Sequence, residues 1–257
     1  MEPQRLAAGH GWLWIKQGYA LFAKAPLLWI VILLICFIAA TALSAVPLLG
    51  EPLASLLLPV LLAGLMAGCR ALEQGDELEL AHLFGGFQKH TTQLVTLGGI
   101  ALVGQFMIFG VMMMTGGAAL VGILTSGQPV EDPEIVRQAI AGAGVAVLLG
   151  MALFGALMMA MQFAPMLVYF NNATPVEAMK LSLRAFLVNI GPMLVYGVTF
   201  TVLAILASLP MMLGWLVLMP IIFTSLYVCY CDIFPVAKEA APPAAENDAF
   251  TPGKNTF

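Results

Sequence analysis

Long stretches without charge dominate this sequence and limit what it can fold into. A helix needs about 20 apolar residues to cross the roughly 30 Å hydrocarbon core of a bilayer. Lipid offers no hydrogen bonds, so spanning segments must pair their backbone groups within the protein, as helices do. The six apolar stretches contain spans at about residues 27–46, 53–71, within 94–124, within 139–170, 192–209 and 213–231. They predict six transmembrane helices.

The scarcity of charge supports this fold class. Only 9% of the residues are charged and 61% are hydrophobic, whereas a soluble domain carries about 25% charged residues. Such a chain cannot cover a water-exposed surface, so its main partner is predicted to be the lipid bilayer. The net charge of −4 provides no basic surface for nucleic acid. We therefore predict an all-α, polytopic integral membrane protein.

The basic residues predict its orientation, because cytoplasmic loops of membrane proteins are enriched in Lys and Arg. With the N-terminus inside and six spans, nine of the ten basic residues are cytoplasmic and only Arg137 is outside. The nine are Arg5, Lys16, Lys24, Arg70, Lys89, Lys180, Arg184, Lys238 and Lys254. Both termini are therefore expected in the cytoplasm. Residues 235–257, rich in Ala, Pro and acidic residues, are expected to form a disordered cytoplasmic tail.

A short amphipathic pattern precedes each pair of spans. Apolar residues recur there at helical spacing, as Trp12, Ile15, Tyr19 and Phe22, as Leu80, Leu83, Phe84 and Phe87, and as Val176, Met179, Leu183 and Phe186. The second span of each pair contains a proline, at Pro59, Pro165 or Pro220. We predict one membrane domain over residues 1–234, built from three repeat units at about 8–73, 76–172 and 174–234. Each unit is a cytoplasmic-side amphipathic helix followed by a helical hairpin. The alternative is that unrelated hairpins share this pattern.

Four sequence segments carry a resemblance to known proteins. They are Gly11–Gly18, Phe22–Pro26, Pro175–Ser182 and Tyr227–Phe234. They resemble an uncharacterised family of six-helix bacterial inner-membrane proteins. That family is similar to the YciC-like proteins and to the membrane domain attached to some glycerophosphodiester phosphodiesterases. The resemblance implies a bacterial inner (plasma) membrane location and brings no catalytic residues. This sequence shows no soluble catalytic domain, so phosphodiesterase activity is not implied.

The distribution of ionisable residues bears on function. Such residues within a membrane are costly and usually functional, yet Glu51, Arg70 and Asp232 all lie at predicted span ends. No G-x-S-x-G, H-E-x-x-H or Walker pattern occurs. We therefore expect a non-enzymatic inner-membrane protein that acts through lipid or protein contacts, in envelope or lipid-related maintenance. The alternative is a transporter or channel component, which would need a polar cavity at mid-membrane.

Metal and cofactor sites have weak support. His82, His90 and Glu79 could approach one another, but Gly85-Gly86 interrupts the helix that would align them, and a zinc site needs about four ligands. The sixteen methionines could bind Cu(I), although flexible packing is their commoner role. The four cysteines form no C-x-x-C pair. No cofactor and no metal site are predicted.

Small and polar residues in the spans are predicted to hold the bundle together. Small residues let helix backbones approach closely, and the candidates are Gly64, Gly68, Ala152, Ala156, Ala160 and Ala164. These close contacts could lie between helices of one chain, between copies in a homo-oligomer, or between this chain and a membrane-protein partner. Gln105 and Gln162 fall at similar depth and are expected to make a hydrogen bond, with each other or with a neighbour.

The predicted interfacial anchors are Trp12, Trp14, Phe22, Phe87 and Phe186, because aromatic rings favour the headgroup region.

The central hairpin is too long for the membrane. Straight helices over residues 94–124 and 139–170 would reach about 46–48 Å, against a core of about 30 Å. The hairpin is therefore expected either to project beyond the outer surface or to break, and the sequence offers break points at Gly116-Gly117 and at residues 142–144. Residues 115–144, which include Glu131, Asp132 and Glu134, are expected to project outside the membrane as a surface for an external partner. The alternative is a flexible loop without a partner.

Overall fold

Helices account for all the regular secondary structure in the part of the chain that the structure describes. The computed structural model describes residues 2–118, 121–122 and 133–235, with residues 133–136 and 138–140 described by their backbone alone. The helices are α1 (His10–Phe22), α2 (Pro26–Ser44), α3 (Gly50–Gln74), a 3-10 helix (Leu80–Phe84), α4 (Gly85–Gln88), α5 (Thr91–Met112), α6 (Pro133–Gln162), α7 (Ala164–Asn171), α8 (Pro175–Val188), α9 (Ile190–Ser208) and α10 (Trp215–Ile233). The predicted all-α class is confirmed.

Six helical stretches within these residues are long and apolar enough to cross a bilayer. They are Pro26–Ser44, Gly50–Gln74, Thr91–Gly117, Ala141–Asn171, Ile190–Ser208 and Trp215–Ile233. The shortest have 19 residues, which corresponds to about 28 Å. Large apolar side chains remain exposed on the outside of the bundle, such as Phe37 on α2 at 68% and Leu194 on α9 at 62%. This is the surface that lipid covers, and the predicted polytopic fold is confirmed.

The third span ends in a break at Gly116. Helix α5 runs into a π-helical turn, Met113–Gly117, in which Gly116 has φ 131°, a conformation that costs glycine little because it has no Cβ. A Cβ on Gly116 would lie 2.5 Å from the carbonyl carbon of Gly142, so α5 and α6 meet backbone to backbone here. The predicted break at Gly116-Gly117 is confirmed. The break predicted at residues 142–144 is wrong, because α6 is continuous there.

The acidic part of the predicted projection lies largely outside the described residues. Glu131 and Asp132 lie outside the described residues, and only the backbone of Glu134 is described, within α6. The projection of residues 115–144 therefore stays a prediction.

The fourth span is interrupted by a hydroxyl from another helix. Helix α6 ends at Gln162 and α7 begins at Ala164, with Pro165 in its first turn. The Phe163 N–H donates to Ser182 Oγ at 3.0 Å, and Ser182 Oγ donates to the Met159 carbonyl oxygen at 2.7 Å. Phe163 and Met159 are the residues that an unbroken helix would join directly. Ser182 of α8 thus bridges the broken ladder, an insertion of the kind that kinks helices.

The three segments that precede the span pairs pack in a consistent order around the bundle. The 3-10 helix and α4 pack on α3, which is the second span of the first pair. Helix α8 packs on α6 and α7, the second span of the second pair. Helix α1 has no pair before it, and it packs on α10, the second span of the third pair. The contacts therefore close into a ring.

Small residues contribute to the buried faces of these segments, and several of the predicted large ones are exposed. In α1 the buried residues include Gly11, Trp14 and Gly18, whereas Trp12 and Tyr19 are 54% and 56% exposed. A Cβ on Gly18 would lie 2.6 Å from Ser225 Cα, so α1 touches the α10 backbone. The predicted α1 face of Trp12, Ile15, Tyr19 and Phe22 is wrong at Trp12 and Tyr19. Hydrophobicity does not separate protein-facing from lipid-facing positions in a membrane, whereas small size permits close helix contact.

In the other two segments, too, small residues are buried and most of the predicted large ones are not. The second is a 3-10 helix plus one turn of α-helix, and of its four predicted face residues only Leu83 is buried. Gly86 instead presses on the carbonyl of Val60. In α8 the buried residues are Ala178, Ser182 and Ala185. Apart from Leu83, the large apolar residues at the second and third segments' predicted faces are exposed or half-buried.

Candidate functional site at the polar end of the bundle

Polar side chains from three spans meet where those spans end. We define the polar end as the last turns of α3, α7 and α10 together with the neighbouring parts of α1 and the segment before α5. Tyr227 OH of α10 donates to Glu73 Oε2 of α3 at 2.6 Å. Tyr230 OH donates to Asn171 Oδ1 of α7. The Phe170 ring contacts Tyr230 with centroids 5.8 Å apart. These contacts fix the three helix ends relative to one another.

Helix α1 closes one side of the polar end through Asp232. The Asp232 Oδ2 atom accepts a hydrogen bond from Trp14 Nε1 at 2.7 Å and lies 2.8 Å from His10 Nδ1. A carboxylate in the last turn of a helix is unfavourable, because the helix C-terminus carries partial negative charge. The two partners on α1 offset that cost. Trp14 is fully buried and its ring also contacts Tyr196 at 5.8 Å, so this pairing ties α1 to both spans of the last pair.

Two cations at the polar end rest on aromatic rings instead of carboxylates. The Arg70 guanidinium lies 5.2 Å from the Phe170 ring centroid, and Lys89 Nζ lies 5.4 Å from the Tyr169 centroid. The two rings contact each other with centroids 5.1 Å apart. Neither Arg70 nor Lys89 forms an ion pair with a carboxylate among the described residues. We call Arg70 and Lys89 the cation pair. Each has donors left over for an anion, because a ring face takes up charge but not hydrogen bonds.

Open clefts surround these groups. One of about 460 Å³ is lined by Arg70, Glu73, Phe170 and Tyr230. Another of about 430 Å³ lies beside Lys24, Glu73 and Asp232. In contrast, the six spans carry charged residues only near their ends. The chemistry that the described residues offer is therefore concentrated at one membrane surface.

The small residues predicted for helix packing fall into two groups. Gly64 lies against the Leu83 backbone, and a Cβ on Gly68 would lie 2.7 Å from Leu78 Cδ1, so both contact the segment between spans instead of another span. Ala160 and Ala164 are buried, whereas Ala152 and Ala156 are exposed. The alanine row therefore contacts protein only at the end of α6 nearest the polar end.

The two glutamines do not form the predicted hydrogen bond. Gln105 lies in a groove of about 390 Å³ between α5 and α6, beside Phe109 and Met151. Gln162 is half-buried at the end of α6. Among the described residues neither side-chain amide makes a hydrogen bond, so that prediction is wrong. The break after Gln162 and the Ser182 bridge change the course of the chain there, which the assumption of two straight helices ignored.

The predicted interfacial anchors differ in their exposure. Trp12 is 54% exposed, Phe87 is 41% exposed and Phe186 is half-buried. Trp14 and Phe22 are buried among protein side chains and are not available to lipid headgroups. The reason is that Gly11 and Gly18 bring α1 against the last span pair, which encloses the face carrying Trp14 and Phe22.

The candidate metal ligands do not assemble in the described residues. His82 Nδ1 accepts a hydrogen bond from the Glu79 N–H at 2.9 Å as part of a helix cap. No group of three or more His, Cys, Asp or Glu side chains lies close enough together there to hold a metal ion. All four cysteines are free thiols.

The most informative contacts of the polar end escaped the sequence analysis. Trp14 and Asp232 are 218 positions apart. Arg70 lies in the first span pair, and the ring that it contacts, Phe170, lies in the second. One available signal was that Asp232 ends a span in which no other residue is charged. The positions of Lys and Arg along the sequence do not reveal these partners.

The fold and the polar end define a class: an α-helical, multi-pass integral membrane protein whose polar groups gather at one membrane surface. The chain is 29% identical over 264 aligned residues to a protein of Burkholderia thailandensis described as "Probable inner membrane protein". That alignment covers 94% of this chain and 97% of the relative. No protein-family model and no solved structure match the chain. The six apolar helices and this relative support a multi-pass protein of the inner membrane.

Proposed function

We propose that this protein is a non-enzymatic inner-membrane protein that acts through contacts with lipids at its polar end, in maintenance of the envelope or its lipids. The observation that carries the proposal is the cation pair. Arg70 and Lys89 are held on aromatic rings without carboxylate partners, at the level where the spans end. Phospholipid phosphates lie at that level, and Arg and Lys are the side chains that bind phosphate most readily.

The alternative, a transporter or channel component, has less support. Such a protein would place ionisable groups within the membrane to handle its substrate. The charged residues of the six spans lie near the ends instead. The groove that contains Gln105 is otherwise lined by apolar residues and glycine, and its single amide does not make a polar pathway.

The proposed orientation places the polar end and both termini in the cytoplasm. It is supported by Lys24, Arg70 and Lys89, which lie at the same end of the bundle and follow the enrichment of basic residues in cytoplasmic loops. The proposed disordered tail, residues 235–257, lies outside the described residues except for Pro235.

We also propose that residues 1–234 are one domain of three repeat units, at about 8–73, 76–172 and 174–234. The ring of contacts supports it, because each interfacial segment meets the second span of the preceding pair. Pro59 and Pro220 lie inside α3 and α10, whereas Pro165 starts the short helix α7. The proline of the middle unit therefore has a different position relative to its helix. We further propose that the chain is related to the YciC-like proteins and to the membrane domain attached to some glycerophosphodiester phosphodiesterases, which its sequence segments resemble.

Lipid analysis of the protein extracted without detergent tests the function. The wild type and an Arg70→Gln, Lys89→Gln double variant would be purified in polymer-bounded membrane discs, and their phospholipids quantified by mass spectrometry. We expect the wild type to be enriched in particular phospholipids relative to the surrounding membrane. The double variant should lose that enrichment, whereas Lys16→Gln, which removes an exposed lysine on α1, should keep it. A wild-type disc with the same lipids as the bulk membrane would contradict the proposal.

A further inference from the structure

A long groove runs along the membrane-facing side of α5. It has a volume of about 920 Å³, and its walls include Leu56 of α3 and Leu157 of α6. Val103 and Met107 of α5 line it and are 59% and 67% exposed. The groove is therefore open to the bilayer and is bounded by helices from two of the span pairs.

The groove is longer than one leaflet is deep. The lining residues of α5 run from Thr91 to Met107, which corresponds to about 24 Å along the helix. One leaflet of a bilayer contributes about half of the 30 Å hydrocarbon core. A chain that enters at the polar end would therefore lie in the groove over the full depth of its leaflet.

The polarity of the lining changes along the groove. Thr91, Thr92 and Thr96 provide hydroxyls near the start of α5. The Thr91 and Thr96 hydroxyls donate to backbone carbonyls of their own segment, whereas Thr92 is exposed and has no such bond within the described residues. Beyond Thr96 the lining contains only apolar residues and glycine. A polar entrance followed by an apolar channel matches an amphiphile.

A single cation, Lys89, precedes the residues that begin the groove. Lys89 is exposed and precedes Thr91 by two residues, with its Nζ 5.4 Å from the Tyr169 ring centroid, whereas Arg70 lines the separate cleft beside Tyr230. The Lys89 ammonium would attract a phosphate at this position and donate hydrogen bonds to it. Negative headgroup charge and an apolar tail are both required to satisfy the two parts of the site.

We propose that this groove binds one anionic phospholipid, with an acyl chain along α5 and the phosphate against Lys89. The proposal rests on the proposed function and specifies its site and ligand. A second copy of this chain is a poorer occupant. Copies in one membrane share an orientation, so a symmetric dimer through this groove would bring Lys89 of both copies to the same end. Like charges brought together there would oppose association.

A groove-filling variant tests the tail site, and the chain offers a matched control. A Cβ on Gly99 would lie 3.6 Å from Leu56 Cδ2, an ordinary contact, so Gly99→Leu places its side chain in the groove without a backbone clash. Gly197 is exposed on α9 and has nothing within 4 Å of its Cβ position. Gly197→Leu is therefore the same chemical change on a surface that the proposal leaves unused.

The measurement is native mass spectrometry of delipidated full-length protein titrated with phosphatidylglycerol. We expect the wild type and Gly197→Leu to bind a first lipid more tightly than later ones. Gly99→Leu should weaken that first binding about tenfold, equivalent to about 1.4 kcal/mol. Lys89→Gln changes an exposed residue and should fold normally, and it should weaken the same step. Glycerophosphate without acyl chains should not compete at equal concentration. If it displaces the lipid, free phosphate binding explains the role of Lys89 and the groove proposal fails.

Three other outcomes would overturn the groove assignment. Equal lipid binding by all variants would exclude this site while leaving lipid contacts elsewhere, so the proposed function would stand. Absence of bound phospholipid even in the wild type would contradict both proposals. A wild-type dimer that Gly99→Leu converts to a monomer would assign the groove to a second copy of the chain. If Gly99→Leu does not fold, Lys89→Gln and the competition with glycerophosphate still decide the question.

Discussion

The hydroxyl of Ser182 accepts a hydrogen bond from the backbone N–H of Phe163 at 3.0 Å, across 19 positions of sequence. The same oxygen donates to the Met159 carbonyl at 2.7 Å. One side chain on α8 thus completes the backbone pairing of the fourth span at the point where α6 gives way to α7. In a membrane this matters more than in water, since no solvent replaces a missing partner.

Replacing this hydroxyl should destabilise the protein. Ser182→Ala would leave the buried Phe163 N–H without its partner, and such a loss costs about 1–3 kcal/mol. The free energy of unfolding in mixed detergent micelles would measure it. Thr201→Ala is the control, because the Thr201 hydroxyl is exposed and bonds only the Gly197 carbonyl of its own helix. A Ser182→Ala protein as stable as the control would show that the bridge contributes little.

The contact between Trp14 and Asp232 should be the main attachment of α1. Trp14→Phe keeps most of the ring but removes the N–H that donates to the Asp232 carboxylate. A hydrogen bond to a charged group contributes about 1.5–3 kcal/mol, so a loss of that size in unfolding free energy is expected. Trp12→Phe changes an exposed tryptophan two residues away and should have almost no effect. Similar losses in both variants would argue against a special role for Asp232.

The close approach of α1 and α10 depends on Gly18. Gly18→Ala would place a Cβ 2.6 Å from Ser225 Cα, and overpacking of this kind costs about 1–3 kcal/mol. We expect α1 to separate from the bundle, which limited proteolysis within residues 10–25 would detect. Gly197→Ala should be neutral or slightly stabilising, because alanine favours helices over glycine. Protection of α1 from protease in Gly18→Ala would contradict the packing described here.

The orientation predicts the side of each loop. Reporter fusions at residues 75, 180 and 245 should report a cytoplasmic location, and fusions at residues 50, 130 and 211 should report the outside. A cytoplasmic signal at residue 130 would be incompatible with six spans in this order.

The central hairpin makes a separate prediction. Single cysteines at positions 118, 122 and 142, in a background without the four native thiols, should react with a membrane-impermeant reagent in intact cells if residues 115–144 project outside. Positions 118 and 122 are exposed helical positions just beyond the break at Gly116. Complete shielding of all three would show that the hairpin ends within the membrane.

The sequence by itself determined the number of spans and their approximate limits. Apolar stretches long enough to cross the core are a local property, and the backbone pairing demanded by lipid leaves them little choice but helix. The distribution of Lys and Arg is also readable along the chain, and it indicated which end of the bundle carries the charged groups. The break at Gly116 was predictable because glycine tolerates the left-handed backbone.

The tertiary structure alone decided which faces meet. In lipid, an apolar side chain has no strong preference between a neighbouring helix and an acyl chain, so hydrophobic periodicity does not identify the buried side. Close fit and hydrogen bonds decide it instead, which is why Gly18 and Ser182 face protein while Trp12 faces outward. The pairing of Trp14 with Asp232, and of Arg70 with Phe170, requires α1 to close the ring against the last span pair. No local pattern specifies that closure, because it depends on how all six helices pack together.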